Sequence, residues 1–214
     1  MNTLVVLFFV SNVLATVLLG GKFISKKDPV FRYFGMGLLL DAVAFASWTI
    51  GYVNQGFLLN SITLGAVAFL VSLVFFLHAS LQNHSTSTRM LGTILGAVAV
   101  IGIFLVGKYS PNMAYISPEG LLFFNLTPLV QMLYIFALAL TFLPLANIVA
   151  SKFGSSYYSA LVQYGFIAQF VGGIILITST DVRVLYITGW IIGIVYFVLW
   201  ATLLFNRKAW LNTN

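Results

Sequence analysis

Residues 33–52 read YFGMGLLLDAVAFASWTIGY, a stretch whose single charge, Asp41, falls near its centre. About 20 residues in a helix cross the roughly 30 Å of a bilayer's hydrocarbon core. A membrane strand needs only about 10 and alternates in polarity, which this stretch does not. It reads as a transmembrane helix carrying a carboxyl group inside the membrane.

The same reading repeats along the chain. Apolar stretches near Thr3–Lys22, Tyr33–Tyr52, Ile62–Leu81, Met90–Gly107, Pro128–Ala150, Tyr157–Thr178 and Val184–Phe205 predict an all-α bundle of seven transmembrane helices, one domain over residues 1–214. Polar clusters separate them, such as Ser25 to Pro29 and Gln82 to Arg89. The faintest break lies between the second and third helices, where only Gly51 to Gly56, Asn60 and Ser61 mark a turn. Pro128 is expected to open the fifth helix with Thr127 as its cap, and Pro144 to kink it.

Composition agrees. The chain is 61% apolar and 7% charged, against about 25% charged in soluble domains. A net charge of +6 is spread too thinly to make a basic patch, so no nucleic-acid partner is expected. There is no cysteine, which removes disulfides, Cys-ligated metals and thiol catalysis. His78 and His84 do not make a bis-His haem site, because His84 falls in a loop. No Ser/His/Asp set, paired carboxylates or glycine-rich phosphate loop is present, so no enzyme activity, metal or cofactor is expected.

Orientation follows from the bases. With the N-terminus outside, the inner side holds Lys22, Lys26, Lys27, Arg32, Arg89, Lys152, Arg207 and Lys208, and the outer side only Lys108 and Arg183. The first stretch has no basic residue before it and a basic cluster after it, so it reads as a retained helix rather than a secretory signal. The location expected is a cell membrane, plasma or prokaryotic inner, with the lipid bilayer as first partner.

A candidate internal repeat joins the first three helices to the last three. Leu14-Ala15, Lys22-Phe23 and Arg32-Tyr33-Phe34-Gly35 recur as Leu145-Ala146, Lys152-Phe153 and Gln163-Tyr164-Gly165-Phe166, at offsets of 130 or 131. Leu77-His78-Ala79-Ser80-Leu81 resembles Leu199-Trp200-Ala201-Thr202-Leu203. The fourth helix would then link two parallel halves. This 3+1+3 plan resembles the SWEET sugar facilitators and the microbial rhodopsins in topology and size. The seventh helix has no lysine to hold retinal, and the Pro-Gln dipeptide common in SWEET repeats is absent. Asn12 and Asp41 around a basic turn are similar to the opening of rhodopsin-like G-protein-coupled receptors, but the Asp-Arg-Tyr and Asn-Pro-x-x-Tyr motifs are missing. These likenesses assign the chain to no family.

Asp41 leads the candidate site residues. An intramembrane carboxyl group must face the bundle and be paired, hydrogen-bonded or neutral. Phe34, Gly37, Asp41, Phe45, Trp48 and Tyr52 form one stripe on their helix. Asn12, Ser47 or a backbone carbonyl is the expected partner. Asn12, Trp48, Gln131, Tyr134, Gln169, Tyr186 and Trp190 all fall between the outer surface and mid-membrane. If they converge with Asp41, they line an outward pocket for a polar, uncharged or weakly charged small molecule. The plainer reading is interfacial aromatics and helix-bridging amides.

Three functions fit. The first is a small transporter or facilitator for a polar solute, with Asp41 a candidate for proton linkage. The second is a seven-helix, receptor-like sensory protein signalling through a separate partner. The third is a non-catalytic subunit of a membrane complex, with a membrane-protein partner or a second copy of the chain beside it.

Overall fold

The computed structural model describes residues 3–108, 114–153, 155–179 and 181–210. Among them are seven α-helices: α1 (Thr3–Ile24), α2 (Pro29–Val53), α3 (Leu58–Ser80), α4 (Thr86–Lys108), α5 (Pro128–Ser151), α6 (Ser156–Thr178) and α7 (Val182–Phe205). A hairpin of β1 (Ala114–Ile116) and β2 (Leu122–Phe124) joins α4 to α5. Six of the helices, α1 to α6, are long and apolar enough to cross a bilayer. On α4, Leu91, Leu95, Val98 and Ile101 point outward and are exposed. Such a face suits hydrocarbon, where a helix satisfies its own backbone.

Local chemistry sets the ends. Asp28 caps α2 by accepting from the Val30 N–H at 2.8 Å, with Pro29 in the first turn. This cap starts α2 four residues before the apolar run at Tyr33. Thr127 caps α5 ahead of Pro128, as expected. Pro144 lies within α5, which continues to Ser151. The faint break resolves into a 3-10 turn at Gln55–Phe57, held by the Asn54 side chain accepting from Gly56 N–H. The third helix therefore begins at Leu58 rather than Ile62.

The hairpin falls between the fourth and fifth apolar stretches. Its register pairs Ala114 with Phe124, Tyr115 with Phe123 and Ile116 with Leu122. Gly120 turns the chain with φ +77°, a conformation that favours glycine. The Tyr52 hydroxyl donates to the Gly120 carbonyl, fastening the hairpin to the end of α2.

The helices pack in sequence order as a closed ring: α1 on α2, α2 on α3, α3 on α5, α5 on α6, α6 on α7, and α7 back on α1. α4 stands outside the ring, chiefly against α3. Each ring helix contributes one aromatic side chain to a central cycle, and these six are under 2% exposed. They touch in a cycle: Phe23–Phe34 at 4.8 Å between centroids, Phe34–Phe76 at 5.5 Å, Phe76–Phe142 at 5.4 Å, Phe142–Phe166 at 5.9 Å, Phe166–Trp200 at 5.8 Å and Trp200–Phe23 at 6.4 Å. Phe34 and Phe166 also meet across the middle at 5.3 Å.

Toward the basic end, the packing continues. Phe23 and Phe153 both pack on Phe31 and on Trp210. Lys22 and Lys26 lie over the Trp210 ring at 5.5 and 5.4 Å. Partial burial, and then the nearby Lys22 charge, lower the pKa of Lys26. Lys152, at the end of α5, pairs with Asp28 in the α1–α2 loop at 2.6 Å.

Candidate functional site

The opposite half of the bundle holds a cavity of about 240 Å³. Its wall comes from the first halves of α1, α3 and α7, the second halves of α2 and α6, and α5 from Tyr134 to Phe142. Those segments lie toward one end of the ring, the end that also carries the hairpin. Leu121, Leu122 and Phe124 of the hairpin complete the wall. Phe142 belongs both to the wall and to the aromatic cycle, so the cycle is the cavity's floor.

Helical spacing places the polar groups. Asp41, Phe45 and Trp48 fall on one face of α2, four and then three residues apart, and all three line the cavity. Phe45 and Trp48 meet edge to face at 5.4 Å, Trp48 and Phe69 at 6.2 Å, and Phe69 stacks near Tyr134 at 6.4 Å. Trp48 also packs on Phe124 of the hairpin at 5.5 Å. The Trp48 ring rests on Gly65 of α3, where a Cβ would collide with it.

Asp41 is 1% exposed. Its Oδ1 accepts from the Ser72 hydroxyl on α3 at 2.5 Å. The same hydroxyl lies 2.7 Å from the Phe69 carbonyl. Among the described residues, Asp41 Oδ2, Trp48 Nε1 and Gln169 Oε1 are buried without a hydrogen-bond partner. A buried polar atom left unpaired costs roughly 1–3 kcal/mol. All three belong to residues that line the cavity.

Five of the eight residues singled out from the sequence line this cavity: Asn12, Asp41, Trp48, Tyr134 and Gln169. Gln131, one turn outward from Tyr134, is partly buried and is not part of the wall. The side chains of Tyr186 and Trp190 lie outside the described residues. Asn12 and Ser47 are not the partners found for Asp41. The Asn12 amide donates to the Phe8 carbonyl and Ser47 to the Val43 carbonyl, each within its own helix. The partner is Ser72, a small polar residue inside an apolar run, which the sequence did not distinguish from helix packing. Gly65 and the hairpin residues were missed for the same reason: their role depends on what folds against them.

The chain matches no protein-family model, and no curated protein resembles it in sequence.

Proposed function

We propose that the chain is a small multi-pass transporter or facilitator. It takes a solute into the cavity from the outside and passes it inward between two three-helix halves. The N-terminus is outside, α7 is the seventh crossing, and the membrane is a plasma or prokaryotic inner membrane. The observation that carries this reading is the placing of a buried, mid-helix carboxyl group on the wall of a cavity whose floor is contributed by all six ring helices.

Two further features support it. The aromatic cycle has the pattern of a two-fold axis: the α1–α2 contact matches α5–α6, α2–α3 matches α6–α7, and α3–α5 matches α7–α1. The axis passes between Phe34 and Phe166. This favours the 3+1+3 repeat in helix order, although the cycle's residues do not keep the 130-residue offset of the sequence. The Asp28–Lys152 pair then joins one half to the other at the inner end. Separating the halves there would break one partly exposed ion pair and the aromatic packing beneath it.

Asp41 suits proton linkage because Ser72 can serve both of its states. To the carboxylate, Ser72 donates its proton. From the neutral acid, Ser72 accepts, and turns its own proton to the Phe69 carbonyl 2.7 Å away. Tyr134 is the other titratable side chain in the described wall. The mostly apolar wall narrows the expected solute from a simply polar one to one with a substantial apolar part.

The test is purification of the chain in mild detergent, with mass spectrometry of retained molecules, for wild type and Asp41→Asn. A small molecule retained by wild type and lost in the variant is expected. Proteoliposomes should then take it up, faster with an inward proton gradient, and Asp41→Asn should lose the gradient's effect. Binding without uptake would move the reading to a receptor using the same cavity. A stoichiometric protein partner with no small molecule would move it to a subunit of a complex.

A further inference from the structure

The chemistry of the wall is specific about charge. Its described residues include one acid, Asp41, and no lysine or arginine. Of the three unpartnered atoms, two are acceptors, Asp41 Oδ2 and Gln169 Oε1. The third, the Trp48 N–H, is held at Gly65 by the packing of its ring. Around these acceptors stands a run of rings in contact: Phe45, Trp48, Phe69 and Tyr134. Ring faces attract cations. An acid, an amide carbonyl and an aromatic wall with no competing base make a receptor for a positive charge that carries N–H donors.

Size limits the rest of the molecule. An apolar cavity of about 150 Å³ holds benzene. This one, at about 240 Å³, has room for one ring and a short arm. We infer that the cavity binds a small protonated monoamine, primary or secondary, with one aromatic or comparably bulky apolar group. The ammonium sits at Asp41 and Gln169, and the apolar group lies among Phe45, Phe69 and Trp48. This inference rests on the cavity being the solute site, as proposed above, and adds the chemical class of the solute.

Calorimetric titration of the full chain in detergent tests it, with 2-phenylethylamine as probe. Its comparators are 2-phenylethanol and propylbenzene, of the same shape without the charge, and phenylacetate, of the opposite charge. On wild type, the amine is expected to bind roughly tenfold to a hundredfold more tightly than the alcohol, the range of a hydrogen bond to a charged group. Phenylacetate should be the weakest. Asp41→Asn should abolish the preference for the amine, and Ser72→Ala, which keeps the carboxyl group, should retain it. Equal binding of amine and alcohol to wild type overturns the inference without needing any variant. So does an amine preference that survives in Asp41→Asn. If the amine fails to bind but the alcohol binds, or the purified chain retains a molecule of another class, the charge assignment falls and the cavity remains the solute site. If none of the probes binds and nothing is retained, both fall.

Discussion

In the half of the bundle toward the basic end, six buried aromatic rings from six helices touch in a cycle. In the half that carries the hairpin, rings of the same types stand around about 240 Å³ of space, with three polar atoms of the described residues unpaired. Residue type does not explain the contrast; the faces that meet do. At the basic end α1 and α2 approach until a Cβ on Gly35 would lie 2.7 Å from the Gly20 carbonyl oxygen. The short α1–α2 loop and the Asp28–Lys152 pair hold that end together. At the hairpin end α2 and α3 come about as close, since a Cβ on Gly51 would lie 2.8 Å from the Ser61 Cβ, but Phe45, Trp48 and Phe69 line the cavity rather than fill it. The lesson is that one bundle can spend its aromatic residues as filler at one end and as wall at the other.

Four tests would break or sharpen this contrast. The largest effect is expected from Trp200→Ala, which removes a ring 1% exposed from the cycle. A loss of about 3–5 kcal/mol is the usual cost of such a truncation. Phe69→Ala, in the partly buried outer wall, should cost clearly less. Thermal unfolding of the two variants in the same detergent compares them, and equal losses would erase the distinction between floor and wall.

Gly35→Ala comes next. Its methyl group would strike the backbone of Gly20 and Ile24, so α1 and α2 must part, at about 1–3 kcal/mol. Gly189→Ala, where nothing lies within 4 Å, should be tolerated. Similar melting temperatures for both would mean that the basic end is not held by this close approach.

Ser72→Ala is expected to cost about 1–3 kcal/mol, because it leaves Asp41 with no partner among the described residues. The readout that separates this from simple packing is recovery of stability when the amine probe is added. No recovery would detach Asp41 from the cavity.

The smallest stability change should come from Asp28→Asn. The Asp28–Lys152 side chains are 20% and 31% exposed, and pairs of that kind contribute about 0–1 kcal/mol. Asparagine also keeps the helix cap. Access from the basic end should nevertheless rise, measured as faster labelling of a cysteine placed at Phe34 by a water-soluble maleimide. Unchanged labelling would remove the ion pair from any role in closing that end.

Particular residues show how much of this was legible. The helical stretches followed from runs of about 20 apolar residues, because a bilayer imposes that length. Asp41 was legible because a lone carboxyl group in such a run is costly wherever it faces lipid. Trp48 and Tyr134 lay on recognisable stripes, and Gln169 was a polar residue in an apolar helix. The aromatic cycle was not legible, although all six of its members are plain in the sequence. Phenylalanine in a membrane helix carries no mark of whether it faces lipid, another ring or a cavity. Gln131 shows the converse: it shares a stripe with Tyr134, yet one turn is enough to take it out of the wall.

The sequence by itself determined that this is a chain of long apolar helices with basic residues gathered between particular ones, and that a carboxyl group lies inside the second. Hydrophobic length and charge are properties of a segment, so they can be read segment by segment. Only the tertiary structure decided that Ser72 holds Asp41, that Gly65 seats Trp48, and that the rings of one half close while those of the other enclose space. Those outcomes depend on which faces of different helices meet and how closely, and that geometry is set by packing between segments far apart in the chain.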